Sequence, residues 1–272
     1  MNCLISTADL ADHLNDPDWV VIDCRFQLAD PQWGRSQYHH SHIPGAYYAD
    51  LNQDLSAPVG PKGGRHPLPE PDQLAAKLTA MGVVWGQTPV VVYDDARFAF
   101  GSRLWWLLRY YGHKQVQVLD GGWPAWVRED RPVTEAIPTP RAGAFTPQLQ
   151  RDWVVDIATV QQPERGFILV DCRDRDRYLG HHEPIDPIAG HIPGAINRPW
   201  REITTAAGYS QSPEVQRDLW ADLPWDQELV VYCGSGVTAC VNLLSLTVAG
   251  RPWAKLYPGG WSDWCAHLSN TA

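Results

Sequence analysis

Four short motifs occur twice in this chain, in the same order. VVIDCRF at Val20–Phe26 returns as ILVDCRD at Ile168–Asp174, and SHIPGAYYAD at Ser41–Asp50 returns as GHIPGAINRP at Gly190–Pro199. VVVYDDARFAFGSRLWWLLRYYGH (Val90–His113) parallels LVVYCGSGVTACVNLLSLTVAGR (Leu229–Arg251), and VLDGGWPAW (Val118–Trp126) parallels LYPGGWSDW (Leu256–Trp264). Asp23 to Asp171 spans 148 positions, His42 to His191 149, Tyr93 to Tyr232 139, and Gly121 to Gly259 138. A kept order with so small a drift marks a duplicated domain, so both halves must adopt one fold. The length of 272 residues suits two ordinary domains. They are read as residues 1–138 and 151–272, joined by a linker at 139–150 within the Pro-rich, aperiodic RPVTEAIPTPRAGAFTPQLQ.

In the second copy FILVD, LVVYC and AKLY are continuous apolar runs bounded by turns, the pattern of strands buried on both faces. VTACVNLLSLTVAG is apolar on most faces and ends at Gly250, as a buried helix does. Strands alternating with helices predict an α/β fold: two domains, each a mainly parallel sheet flanked by helices. Ligands of such sheets sit beyond the carboxyl ends of the strands. Cys233 ends a strand and precedes a helix.

A cysteine attacks as its thiolate, and an ordinary one is only a few per cent ionised at neutral pH. A helix mouth supplies unpaired N–H groups and a dipole that favour negative charge. In Cys233-Gly234-Ser235-Gly236-Val237-Thr238, the two glycines let successive amides turn inward as an anion nest, and Ser235 and Thr238 add hydroxyl donors. This loop would stabilise a thiolate or the outer sulfur of a persulfide. Cys3, Cys24, Cys172, Cys240 and Cys265 lack the setting and are read as packing residues. The first copy places Asp94 where the second has Cys233. A carboxylate cannot do thiolate chemistry, so the first domain is expected to be catalytically silent.

A net charge of -9 and the lack of any basic block argue against nucleic-acid partners, while leaving room for a small anionic substrate held by local arginines. The first residues carry no signal-peptide pattern, and no apolar run approaches the ~20 residues needed to span a bilayer, so no membrane association and a cytoplasmic location are expected. The HHSH and HHEP clusters lack spaced Cys or carboxylate partners, and no metal or other cofactor is expected.

Two copies with a HIPGA segment, an Asp-x-Arg strand end and one CGSGVTA loop resemble the tandem rhodanese-type sulfurtransferases. The resemblance implies two rhodanese-like domains and ping-pong transfer of sulfur from 3-mercaptopyruvate or thiosulfate, through a Cys233 persulfide, to a thiol such as thioredoxin or a small thiol, or to cyanide. The loop matches the mercaptopyruvate branch and lacks the basic residues of thiosulfate-using rhodaneses. Gly234, Gly236, Val237 and Thr238 would line the sulfur site. Arg177 matches the arginine that binds the donor's carboxylate or sulfonate. Mercaptopyruvate enzymes commonly add an arginine after EP, where this chain has Ile185, and that keeps thiosulfate open as donor. Ser235 matches the serine of a proton relay, with His66 in GRHPLP and Asp50 as its partners by position. Arg25 and Arg173 are expected to pair with acids at strand ends, and His42 and His191, present in both copies, to serve turns. A cysteine phosphatase needs Arg six residues after the cysteine, where Ala239 stands. A sulfur carrier or interaction module without strong turnover is the remaining rival.

Overall fold

The computed structural model describes residues 3–162, 164 and 166–268. The chain divides into two compact units. The first contains residues 3–57, Pro69–Gln150 and Thr204–Ser210; the second contains Pro58–Leu68, Arg151–Ile203 and 211–268. A short segment of each half of the sequence is thus a structural member of the other half's unit.

In the first unit, β1 (Leu4–Ile5), β2 (Val20–Asp23), β3 (Tyr47–Tyr48), β4 (Val90–Tyr93) and β5 (Val116–Leu119) form a sheet of order β1-β5-β4-β2-β3, paired in parallel throughout. In the second, β6 (Phe167–Asp171), β7 (Ile196–Asn197), β8 (Glu228–Tyr232) and β9 (Lys255–Leu256) form the parallel order β7-β6-β8-β9. A parallel bridge from Val154 to Leu256 stands where β1 stands beside β5. The two cores correspond residue by residue: Val21 with Leu169, Ile43 with Ile192, Val91 with Val230, Tyr93 with Tyr232, and Trp126 with Trp264. Burying each such aliphatic side chain contributes roughly 1.5–3 kcal/mol.

The repeated motifs meet in three dimensions. Arg25 hydrogen-bonds to Asp23 through Nε and Nη2, donates to the Ser41 carbonyl at 2.6 Å, and lies 4.3 Å from the Trp123 ring. Arg173 repeats this with Asp171, the Gly190 carbonyl at 2.6 Å and the Trp261 ring at 4.8 Å. The histidines stack on tyrosines, His42 on Tyr38 at 4.1 Å and His191 on Tyr178 at 3.9 Å, with each Nδ1 2.7 Å from that tyrosine's carbonyl oxygen. Asp-x-Arg, HIPG and GGW therefore form one lock in each unit. Each arginine is buried with its charge satisfied, and removing one partner of such a pair costs about 3–5 kcal/mol. What the copies share is architecture, and what distinguishes them lies at the ends of β4 and β8.

The Pro-rich stretch is extended and tied to the first unit. Arg141 and Ala144 bridge to Met81 and Val84, and the Gln148 amide donates to the Tyr111 carbonyl at 2.9 Å. Among the described residues no helix is long and apolar enough to cross a membrane.

Candidate active site

β8 is buried from Leu229 to Tyr232 and runs directly into Cys233, which is 2% exposed. The next helix, Ala239–Val248, starts six residues on with Thr238 as its N-cap residue. The loop between them is held from below: the Trp261 amide donates to the Cys233 carbonyl at 2.8 Å and the Ser262 amide to the Gly234 carbonyl at 2.9 Å. Gly236 takes a φ of 72°, and a Cβ there would run into the Pro258 carbonyl, so both angle and space call for glycine. Val237 is buried and its carbonyl accepts from the Cys240 amide at 3.1 Å; Thr238 is half-buried and its carbonyl accepts from Val241. Cys240 lies inside the helix with its Sγ 3.4 Å from the Gly236 carbonyl.

The first unit shows what such a loop does with an anion. There Asp94 follows β4, and its carboxylate accepts from the amides of Ala96 at 2.8 Å, Phe98 at 3.1 Å, Phe100 at 2.9 Å and Gly101 at 2.7 Å. Burial pushes the Asp94 carboxyl up, against the pull of those four amides. This loop is one residue longer, since its helix begins at Gly101, seven residues after Asp94. It bends through left-handed Arg97 and Phe98, where the second unit needs only Gly236 and Gly234 has no positive φ. A strand-to-helix turn of this kind is a main-chain anion holder.

Residues 58–68 bring two side chains to the cysteine loop. Gly64, with φ 81°, approaches the Gly259 carbonyl too closely for any Cβ. The Gly63 amide donates to Asp263 Oδ1 at 2.7 Å and the Arg65 amide to Ser262 Oγ at 3.2 Å. His66, 6% exposed, then places Nδ1 2.7 Å from Oγ of Ser235, itself 6% exposed. These are the histidine and serine matched by sequence. Asp50 belongs to the first unit, where it is buried and organises the turn that follows: its Oδ1 accepts from the amides of Asn52 at 2.9 Å and Gln53 at 3.0 Å.

Arg177 lies on the short helix Arg175–Tyr178, and its side chain is 16% exposed. It pairs with Glu183 at 2.8 Å and with Asp186 at 3.0 Å. A Cβ on Gly234 would lie 3.6 Å from both Arg177 terminal nitrogens and 2.8 Å from Arg65 Nη2. Arg65 therefore supplies a second cation beside Gly234, the residue that follows Cys233. The family resemblance places a second arginine at position 185, where exposed Ile185 stands, and Arg65 carries no signal in the sequence beyond its adjacency to His66. Asp186 bridges the two, pairing with Arg65 through Oδ1 and with Arg177 through Oδ2. Burial raises the Asp186 carboxyl above the usual range, although both arginines oppose this. At Glu183 burial acts the same way but is outweighed by hydrogen bonds from Arg177 and from the amides of Asp186 and Ile185, which hold that carboxyl below it. No group of three or more His, Cys, Asp or Glu that could hold a metal ion occurs among the described residues.

Residues 6–129 and 155–267 each match the model of the Rhodanese-like domain. Over 270 residues the chain is 45% identical to a protein of Pseudomonas aeruginosa named a probable 3-mercaptopyruvate sulfurtransferase, covering 96% of this chain and 94% of that protein. It is 32% identical over 276 residues to the thiosulfate sulfurtransferase of Rattus norvegicus, covering 96% and 91%. The crystal structure of an Escherichia coli 3-mercaptopyruvate sulfurtransferase superposes with a TM-score of 0.83 at 30% identity, covering 96% of this chain and all of that one.

Proposed function

Because the chain belongs to the rhodanese-like domain family and, with two copies of that domain, is a sulfurtransferase, we propose that Cys233 carries the transferred sulfur as a persulfide. The observation that carries this reading is the pair of corresponding turns. One encloses a carboxylate in four main-chain amides; the other sets a buried sulfur at the same place. A turn whose amides converge on a carboxylate in one copy is suited to aim main-chain donors at an anionic sulfur in the other.

With 3-mercaptopyruvate as donor, the Cys233 thiolate attacks the donor's thiol sulfur. A sulfur–sulfur bond forms, the donor's carbon–sulfur bond breaks, and its electron pair passes to carbon as the enolate of pyruvate. The outer sulfur keeps its hydrogen. The enolate takes a proton through Ser235 and His66, whose 2.7 Å contact forms a short relay. With thiosulfate the donor's sulfur–sulfur bond breaks and sulfite leaves with the pair. An acceptor thiolate, from a small thiol or a reduced thioredoxin-type protein, or cyanide, then attacks the outer sulfur and returns Cys233 as thiolate. Arg177 and Arg65 would hold the donor's anionic end by forked hydrogen bonds. A nucleophilic thiol operates where thiols are kept reduced, and the cytoplasm fits that need.

The test is intact mass after incubation with donor and removal of excess. The native protein is expected to gain one sulfur atom, lost again on adding cyanide, and Cys233→Ser to gain none. Sulfur transfer by Cys233→Ser would overturn the assignment.

A further inference from the structure

Resting on the sulfur-transfer reading above, we propose that Asp186 is the specificity-determining residue of the donor site, tuning it to a singly charged donor, a 2-oxo-3-thiol carboxylate, over the doubly charged thiosulfate. Asp186 is an acid where the site is expected to attract anions. It is 8% exposed, and its two oxygens are divided between the two guanidinium groups beside Gly234. It acts in two ways. It fixes Arg65, an otherwise adaptable side chain on a loop, in register with Arg177, and it offsets one of their two charges.

The remaining charges leave no surplus. Arg173 is matched by Asp171 and also touches Glu183 at 3.1 Å. Arg177 is matched by Glu183 and Arg65 by Asp186. Three arginines thus face three carboxylates, and the clamp presents N–H donors with little net field. A monocarboxylate needs the donors and carries one charge into a balanced site. A dianion carries two and meets the Asp186 carboxylate with the second. The interaction scales with the product of charges, so, taking ~5 Å between this acid and the donor's anionic end and an effective dielectric between protein surface and water, the dianion is penalised about tenfold more than the monoanion.

The experiment is Asp186→Asn, which keeps size and polarity and removes the charge. Persulfide formation on Cys233 is followed by single-turnover kinetics with each donor. The ratio of kcat/KM for thiosulfate to that for 3-mercaptopyruvate is expected to rise about tenfold. An unchanged ratio, or a fall, overturns the proposal. A second measurement uses the native protein and needs no variant: protection of Cys233 from iodoacetamide by pyruvate and by sulfate. Pyruvate is expected to protect at the lower concentration; protection by sulfate at equal or lower concentration overturns the proposal. If neither donor puts sulfur on native Cys233, the sulfur-transfer reading fails. If the persulfide forms and the ratio does not move, only the role of Asp186 fails.

Discussion

The proposed relay through Ser235 and His66 would make the two donors separable. Breaking the carbon–sulfur bond of mercaptopyruvate leaves an enolate that must be protonated, whereas sulfite is a stable anion that leaves without help. The relay should therefore matter for one donor and not for the other. The perturbation is His66→Gln, which keeps a polar group in a buried position while removing the titratable ring. Loss of a general acid held at 2.7 Å is expected to lower the rate of persulfide formation from mercaptopyruvate by at least about 10²-fold, or ~2.7 kcal/mol. Formation from thiosulfate should stay within about fivefold, which covers loss of roughly 1 kcal/mol of hydrogen bonding in the loop. The assay is stopped-flow single turnover, with released pyruvate or sulfite as readout. Cyanide is the acceptor in the steady-state control, run in alkaline buffer above the pKa of hydrogen cyanide, where it is already the anion and needs no deprotonation by the protein. An equal loss with both donors would refute the relay and leave His66 as a support for the Ser235 loop. An unaffected mercaptopyruvate rate would refute it more simply.

Two further perturbations address the first unit. Asp94→Ala strips four amides, three of them in buried hydrogen bonds, of their acceptor and should destabilise that unit by about 3 kcal/mol; a loss below ~1 kcal/mol in urea unfolding would show that the amides do not depend on the carboxylate. Asp95 has its carboxyl pushed up to about 7, by burial and the neighbouring Asp94 and Asp23, against Arg25. The folded state therefore holds this proton more tightly than the unfolded one. The stabilisation is complete below the ordinary carboxylate range and is lost as pH rises through about 7. Asp95→Asn should leave thermal stability unchanged at pH ~4 and raise it at pH ~8 by about 1–2 kcal/mol, discounted because the side chain is partly exposed. Equal melting shifts at both pH values would exclude this titration.

How much was legible in advance follows from the distance over which each signal acts. Duplication, the α/β class, the strand end at Asp171 and, to within one residue, the strand end at Tyr232 that the sequence puts at Cys233 are written in local periodicity and in motifs separated by a near-constant interval. Cys233 could be singled out because a thiol between an apolar run and a glycine-bracketed turn has few structural uses. The pairing of His66 with Ser235 was reached by position alone, and the 2.7 Å contact gives it a physical form. Arg65 was not reached. An arginine in a Gly- and Pro-rich loop has the same appearance whether it faces water or a nucleophile, and its partner Asp186 lies 121 positions away.

By itself the sequence determined the architecture: two copies of one parallel α/β unit, with a thiol in one copy and a carboxylate in the other. Buried runs, glycine-requiring turns and a kept motif order act along the chain and need no knowledge of what lies across it. Only the tertiary structure decided that residues 58–68 serve the second unit, that Arg65 joins Arg177 beside Gly234, and that Asp186 holds and offsets them both. Hydrogen bonds and ion pairs reach only a few ångströms through space. Which distant residues they join depends on how the loops close over the sheet, and no spacing in the sequence encodes that.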